Sequence, residues 1–453
     1  MDTLLVFTRP FTNSFMKLIK ELYQDKYHLL YISDFKYRDD VSLIKRQYHN
    51  LENDESLKKN LGLDYTNVQR RCRYLRYLDE QTSRKLINSA WLSIRDIFVE
   101  HKVKFFIGLP MDNYYLDLIN IYCNENQIHN IYPVQSFLPE KTRITTRGEH
   151  IKVSDPTEEE VQKYMGILLN KKFRPTWLSD RRNKTKLLKL YLRERGKKVL
   201  FETMKMLKRD KFSFHYNCIY PMPGAITVKS IKLLGVKEIF STTKEQVSDL
   251  VGKYRAAVFL PLQFSPESSL DYNIADSRFS QYKELLSTVI ANLPDDVLLI
   301  VKEHPDMYGY REIEFYDLFL NRHNIALVDV DIPVQEIFEL CPFLLVTGGA
   351  STGAEAVIKG KTVISLGGAF YNENVSCIHE IKNFDDVPKW PTYLTVINNT
   401  EQDKYLFLKN ILSNCVDGPY DFVRTPESKH EIARKNIVNI MEYFLNKPKA
   451  ILE

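Results

Sequence analysis

Cysteine is scarce in this chain of 453 residues: six, at Cys72, Cys123, Cys218, Cys341, Cys377 and Cys415, with no Cys-x-x-Cys pair. No cysteines and histidines gather at metal-ligand spacing either. That scatter excludes a disulfide framework and a zinc or dithiol redox motif, and it predicts reduced, mostly buried thiols of a cytosolic protein. Long hydrophobic runs are missing too. No stretch reaches the roughly 18 apolar residues of a membrane-spanning helix, and Leu4-Leu5-Val6-Phe7 near the start is too short, and lacks the basic lead-in, for a secretory signal. Nor is charge of one sign in large excess. A net charge of +5 and a pI near 8.6 fall short of what a nucleic-acid-binding domain carries, so no nucleic-acid partner is expected. Internal repeats and low-complexity tracts are absent, which excludes a solenoid.

What is present is an ordinary globular composition, 44% hydrophobic and 12% aromatic, over a length that exceeds what one core supports. Two domains are the default. Leu4 to Phe7, His28 to Ile32 and Lys104 to Gly108 read as strands, and Asn13 to Tyr23, Glu80 to Glu100 and Tyr114 to Asn126 as helices. In the second half, Ala256 to Leu262, Val297 to Lys302, Ile325 to Val330, Phe343 to Thr347 and Thr362 to Leu366 are Val/Ile/Leu-rich runs. Helical patterns near Gln281 to Leu293, Tyr310 to His323, Val334 to Leu340 and Thr352 to Lys359 separate them. Near-continuous apolar strands alternating with helices predict parallel sheets covered on both faces. The expected class is α/β, with two Rossmann-like domains facing a cleft.

Between the halves the sequence changes character. Lys171 to Lys211 holds sixteen Lys or Arg against four acidic residues, interleaved with leucines. It reads as a basic helical linker or, alternatively, as a peripheral contact with anionic lipid. The expected divisions are 1–150, a first Rossmann-like domain; 151–215, the basic segment; 216–420, a second Rossmann-like domain; and 421–453, whose helix from Glu427 to Leu445 would pack back across both domains.

Two polar motifs sit at ends of apolar runs. In Lys302-Glu303-His304-Pro305, the histidine can donate to a phosphate or protonate a leaving oxygen, or simply satisfy backbone groups at a strand end. In Gly348-Gly349-Ala350-Ser351-Thr352, the glycines permit close approach and the start of a helix favours an anion. Thr352 and Glu355 have capping-box spacing, a structural account that can coexist with ligand contact. The connection from Gln263 to Ser280 is long, and it carries Glu267, Asp271 and Asp276, any of which could act at a glycosyl centre. His379, expected in a polar loop, and His430, in the last helix, read as surface residues.

Leu262-Gln263-Phe264-Ser265-Pro266-Glu267, Val301-Lys302-Glu303-His304-Pro305, Thr347 to Ala356, Gly360-Lys361 and Gly368-Ala369-Phe370-Tyr371 together resemble the bacterial capsule polysaccharide biosynthesis proteins. These include the retaining Kdo transferases of capsule and lipopolysaccharide assembly. The resemblance covers about residues 255–372. It implies a GT-B architecture, a CMP-activated 3-deoxy-ulosonic acid donor, and neither metal nor other cofactor. The family's Gln-x-x-x-acid element falls on Gln263 and Glu267, its His-Pro element on His304 and Pro305, and its phosphate turn on Gly349 to Thr352. Glu267 stands where Kdo transferases of this group usually carry Asp, which leaves Asp271 as a second candidate.

The expected activity is therefore transfer of Kdo or a related nonulosonic acid from CMP to a surface glycan or glycolipid. Glu267, His304 and Asp271 are the candidate catalytic residues. Gln263, Lys302, Glu303, Pro305, Gly348, Gly349, Ala350, Ser351, Thr352 and Glu355 are the candidate nucleotide and phosphate contacts. The enzyme would be cytoplasmic or peripheral at the inner face of the membrane. A CDP-polyol phosphotransferase of teichoic-acid type and a non-catalytic GT-B scaffold are the alternatives. Asp112, after the Lys104 to Gly108 strand, is a candidate in the acceptor half.

Overall fold

A computed structural model describes residues 1–9, 12–35, 40–53, 60–170, 173, 184–217, 239–307, 311–372, 375–418 and 430–446. The chain forms two compact units. Unit 1 comprises Met1–Asp155, Met204–Ile219 and Ser413–Glu453, and unit 2 comprises Pro156–Thr203 and Tyr220–Leu412.

In unit 1, strands β1 (Thr3–Thr8), β2 (His28–Ser33), β3 (Val103–Ile107) and β4 (His129–Gln135) run parallel. β5 (Lys141–Thr145) pairs antiparallel with β4 and extends the sheet. All six residues of β1 are buried, because helices cover both faces of this interior strand, flanked by β2 and β3. The helix Glu80–Glu100 starts at Asp79, whose carboxylate caps the N–H of Thr82 at 2.8 Å. Near the C-terminus the helix His430–Asn446 contributes Ile437, Ile440, Met441 and Phe444 to a core shared with Leu4, Val6, Ile107 and Ile131. That helix thus belongs to unit 1.

Unit 2 is a second doubly wound sheet. It is built from β6 (Ala256–Pro261), β7 (Val297–Lys302), β8 (Ile325–Leu327), β9 (Phe343–Thr347), β10 (Thr362–Leu366) and β11 (Ile378–Ile381), all parallel. The spatial order is β11-β10-β9-β6-β7-β8. From β6 the chain winds outward through β7 and β8, then crosses back to β9 on the other side. The topological switch point therefore lies between β6 and β9, where an open α/β sheet binds ligands beyond its carboxyl ends. The last strand of the chain, β12 (Cys415–Asp417), returns to unit 1 and pairs antiparallel with β5.

The pattern in the sequence locates these strands and helices closely. Both Asn13–Tyr23 and Val334–Leu340 form helices as expected, and β7, β9 and β10 match their apolar runs. Four strands were not anticipated. β4 contains Asn and Pro, β5 alternates no apolar residues, β11 includes a histidine and a glutamate, and β12 is three residues long. β11 and β12 are edge strands, where burial does not force a continuous apolar run, whereas β4 and β5 are interior and largely buried but carry polar residues or proline that break the apolar run. The two Rossmann-like sheets are as expected.

Gly353, inside the helix Ser351–Ile358, shows how closely that helix approaches the segment after β10. A Cβ there would lie 2.2 Å from the Tyr371 hydroxyl, which itself donates to the Ala350 carbonyl at 2.7 Å. Gly353→Ala is expected to cost about 1–3 kcal/mol by overpacking, read as a lowered urea midpoint. Adding Tyr371→Phe should recover part of that loss, and a wild-type midpoint for the single variant would contradict the contact.

Candidate functional site

Apart from Asp112, the predicted site residues lie in unit 2, most of them at the carboxyl ends of three adjacent strands. Gln263 and Glu267 follow β6, Lys302 to Pro305 end β7, and Gly348 to Thr352 follow β9. β7 and β9 flank β6, so their ends are two strand spacings, roughly 10 Å, apart. A nucleotide phosphate with its sugar spans that distance.

The centre of the construction is a buried ion pair that sequence reading did not single out. Glu303 is fully buried, and its carboxylate accepts from Arg311 Nε at 2.8 Å, from the Tyr316 hydroxyl at 2.6 Å and from the main-chain N–H of His304 at 2.6 Å. A further bond comes from the second Arg311 nitrogen at 3.2 Å, and that nitrogen also donates to the Gln263 carbonyl. The guanidinium lies over the Phe315 ring, 4.7 Å from its centroid, and 5.5 Å from that of Tyr282. Tyr282 in turn donates no bond to the loop but accepts the Gln263 N–H at 2.9 Å. Glu303 and Gln263 are thus joined to each other through Arg311. Lys302 is turned inward as well, with Nζ donating to the Val330 carbonyl at 3.0 Å. These three expected ligand contacts spend their charges and main-chain groups on holding the strand ends, which makes them positioning groups.

His304, half-buried, is positioned by that arrangement. Its Nδ1 accepts the N–H of Asp306 at 3.1 Å, inside the short turn Pro305–Met307 that Pro305 opens. The neutral ring therefore carries its proton on Nε2, free to donate outward. Burial pushes the imidazole below its ordinary range, against the opposing pull of Glu303 and Asp306. The ring of Phe264 meets it edge to face, with centroids 5.8 Å apart. At neutral pH this histidine is an uncharged donor.

The turn after β9 leaves several donors without protein partners among the described residues. Gly348 has φ +56°, a left-handed conformation that glycine adopts without strain, and a Cβ there would lie 3.1 Å from the Ser269 carbonyl oxygen. The helix begins at Ser351 with Ala350 as its cap, and Ala350 has no side-chain oxygen to satisfy the first N–H groups. The expected Thr352–Glu355 capping box does not form. The helix starts two residues earlier, so Glu355 sits a full turn in and accepts from Gln335 Nε2 at 2.8 Å instead. Gly349, Ala350, Ser351 and Thr352 consequently present main-chain N–H and hydroxyl donors at an uncapped helix start.

The acids of the β6 connection separate by environment. Glu267 is exposed, caps the short helix Ser268–Asp271 by position, and accepts the Ser269 hydroxyl at 3.0 Å. Asp271 is 1% exposed and so has little access to a ligand. Asp276 is bound to Arg278 at 2.7 Å and caps the next turn, which lowers its pKa and makes it structural.

Other candidates lie elsewhere. His379 is not in a loop: it sits on the edge strand β11, half-buried and stacked on Tyr393 at 4.9 Å. His430 begins the last helix. In unit 1, Asp112 pairs with Arg9 at 2.7 Å, and the same guanidinium holds buried Asp34 at 2.8 Å, at the ends of β1, β2 and β3. Asp329-Val330-Asp331, after β8, forms a local turn in which Asp329 accepts the Asp331 N–H at 2.9 Å. Among the described residues, no three His, Cys, Asp or Glu side chains gather where a metal ion could be held. Cys72, Cys123, Cys341, Cys377 and Cys415 are free and buried, while Cys218 lies outside the described residues.

Because Glu303 depends on Arg311, Arg311→Met should leave a buried carboxylate uncompensated and destabilise the protein by about 3–5 kcal/mol. Glu303→Gln with Arg311→Met should be milder than the single Arg311 change in thermal denaturation. Additive losses would contradict the pairing.

Comparison with known proteins agrees with the motifs. Residues 170–376 match the family described as capsule polysaccharide biosynthesis protein. No protein of curated function matches the chain. Among solved structures, a beta Kdo 2,4 transferase, KpsC, of Thermosulfurimonas dismutans is 12% identical, covering 70% of this chain and 93% of its own, with a TM-score of 0.29. The UDP-forming trehalose-phosphate synthase of Burkholderia vietnamiensis is 10% identical over 100% and 98% of the two chains, TM-score 0.32. The UDP-GlcNAc 2-epimerase of Methanocaldococcus jannaschii is 13% identical over 97% and 99%, TM-score 0.26. Likeness this distant carries no argument about the site. Over residues 170–376, the stretch that contains β6 to β10 and both polar motifs, the chain is similar to the capsule polysaccharide biosynthesis proteins.

Proposed function

We propose that this protein is a glycosyltransferase that moves Kdo or a related nonulosonic acid from its CMP-activated donor to a surface glycan acceptor. The observation that carries the reading is the pair of donor sets, His304 and the uncapped Gly348–Thr352 turn, on either side of the switch point of one parallel sheet. As the glycosidic bond to CMP breaks, negative charge grows on the phosphate. The Nε2–H of His304, the Ser351 hydroxyl and the first-turn N–H groups stabilise that charge where it develops. No cation is spent, since Lys302 and Arg311 are committed inside the protein.

Glu267 is the carboxylate for the anomeric carbon, because it alone of the two matched acids reaches solvent. Attack by Glu267 would give a glycosyl ester that the acceptor hydroxyl then displaces, with net retention. In unit 1, Asp112 on its Arg9 tether offers lone pairs to acceptor hydroxyls.

The helix Lys184–Leu207 supports peripheral membrane contact. Leu192, Val199 and Met206 recur every seven residues and are exposed together with Leu200 and Leu207. An apolar stripe on a basic helix suits an anionic headgroup interface. Of the earlier basic residues, Arg181 and Arg182 lie outside the described residues.

Three measurements test this reading. CMP should bind with undiminished affinity in EDTA, and Ser351→Ala should lose roughly 1.5–3 kcal/mol of that affinity, the value of a charge-assisted hydrogen bond. Intact-mass analysis with CMP-sugar and no acceptor should show one added sugar on the peptide containing Glu267, absent in Glu267→Gln, which should still bind CMP. An adduct on Asp271 would move the nucleophile, and a phosphorus-containing product from CDP-glycerol would favour phosphotransfer. Finally, binding to anionic vesicles should weaken with salt and fall when Leu192, Val199 and Met206 are changed together to serine. Equal sedimentation of both proteins would remove the membrane contact.

A further inference from the structure

Beneath the Gly348–Thr352 turn lies a carboxyl group with no part in the transfer step. Glu355 is 5% exposed and has two polar partners, Gln335 Nε2 at 2.8 Å and the Ser351 hydroxyl. Gln335 is itself buried, and its Oε1, on the same amide, has no hydrogen-bond donor. A buried acceptor without a donor is costly, and beside an ionised carboxylate it has nothing to receive. A neutral carboxyl group changes that. Its C=O accepts from the amide N–H while its O–H donates to the amide oxygen, a matched two-bond pair.

The second partner carries the consequence. Ser351 has one hydroxyl proton, which an ionised Glu355 and an anion at the turn would both claim. Two negative charges sharing that proton in a poorly solvated place repel each other. We propose that Glu355 takes up a proton when an anion binds at the Gly348–Thr352 turn, so that the Ser351 hydroxyl passes from the Glu355 carboxylate to the ligand. The proton comes from solvent, no covalent bond to the ligand is made, and Glu355 acts as a positioning residue through Ser351. This rests on the reading of the turn as a phosphate site.

The surroundings are compatible with such a poise. Burial pushes Glu355 up to about 7, against opposing effects of Gln335, Lys359 and Ser351. Among the described residues, the other titratable group acting near it is Tyr371, whose hydroxyl is engaged with the Ala350 carbonyl and whose own proton is held more tightly by burial and by Glu355. Glu336 and Glu339, on the helix that carries Gln335, point to Lys244 at 3.0 and 3.7 Å. The sign follows directly. A carboxyl raised in the folded state favours folding at low pH, and that contribution is lost as pH rises through about 7.

Calorimetric titration with CMP at pH 7.5–8, where the nucleotide's own phosphate is fully ionised, should be run in buffers of different ionisation enthalpy. Wild-type protein should take up a substantial fraction of one proton on binding, and affinity should tighten by up to about tenfold per pH unit as pH falls toward 7. Glu355→Gln should bind without proton uptake and flatten the pH profile, whereas His304→Asn should retain the uptake. Should Glu355→Gln fail to fold, Gln335→Glu provides the second test, since a facing carboxyl should move the pH midpoint of binding upward. CMP binding without proton uptake, uptake lost in His304→Asn but kept in Glu355→Gln, or an unmoved midpoint in Gln335→Glu each overturns the proposal. No CMP binding at all overturns the phosphate reading with it.

Discussion

A single carboxylate organises the carboxyl edge of the second sheet. Glu303 receives Arg311, Tyr316 and the N–H of His304, and Arg311 continues to the Gln263 carbonyl, so one buried pair fixes the ends of β6 and β7 together. Burying such a pair gains little stability by itself, because desolvation offsets most of the attraction. Its value is geometric. With its main-chain N–H taken by Glu303 and its Nδ1 taken by Asp306, His304 has one ring position and one tautomer available. The orientation of the outward donor is settled before any ligand arrives.

The same pair decides what kind of site this is. The two cations nearest the strand ends, Lys302 and Arg311, are consumed in its support, so an incoming anion meets N–H, O–H and imidazole dipoles. Dipoles fixed in a low-dielectric environment respond to charge as it appears without first having to reorganise. A phosphate diester, with one negative charge in the ground state and more on departure, suits such a set better than a polyphosphate would. Burial of His304 fits the proposed transfer, in which an uncharged ring would donate to the departing phosphate without holding it as a fixed cation.

How much of this was legible in the sequence varied with burial. Strands flanked on both sides bury both faces, and where they read as unbroken apolar runs, as in β1, β7, β9 and β10, they were clear. The edge strands β11 and β12, and the interior but polar β5, were not. The histidine and the glycine-rich turn were legible because strand-end position and backbone freedom leave short local signatures. Arg311 was missed for a physical reason. Its partner is close in sequence, but its role comes from reaching back to Gln263, 48 residues earlier, and no local pattern encodes that contact. Lys302 and Glu303 were likewise read as ligand contacts because a sequence does not say which way a charged side chain turns.

Capping-box spacing at Thr352 and Glu355 offered two readings, a structural cap or a ligand turn, and the helix start resolves the choice. With Ala350 at the cap position, no side chain closes the first turn, and Glu355 is carried two residues too far round to reach back. The carboxylate that would have satisfied the helix lies instead under it, against Gln335 and Ser351. A helix start left open and a serine tied to a buried acid are therefore two results of the same two-residue shift. Had Glu355 capped the helix, the N–H groups would be occupied and Ser351 would have no competing partner. The arrangement leaves donors open at the turn and sets beneath them the Glu355 carboxyl, bonded to the hydroxyl of the nearest, Ser351.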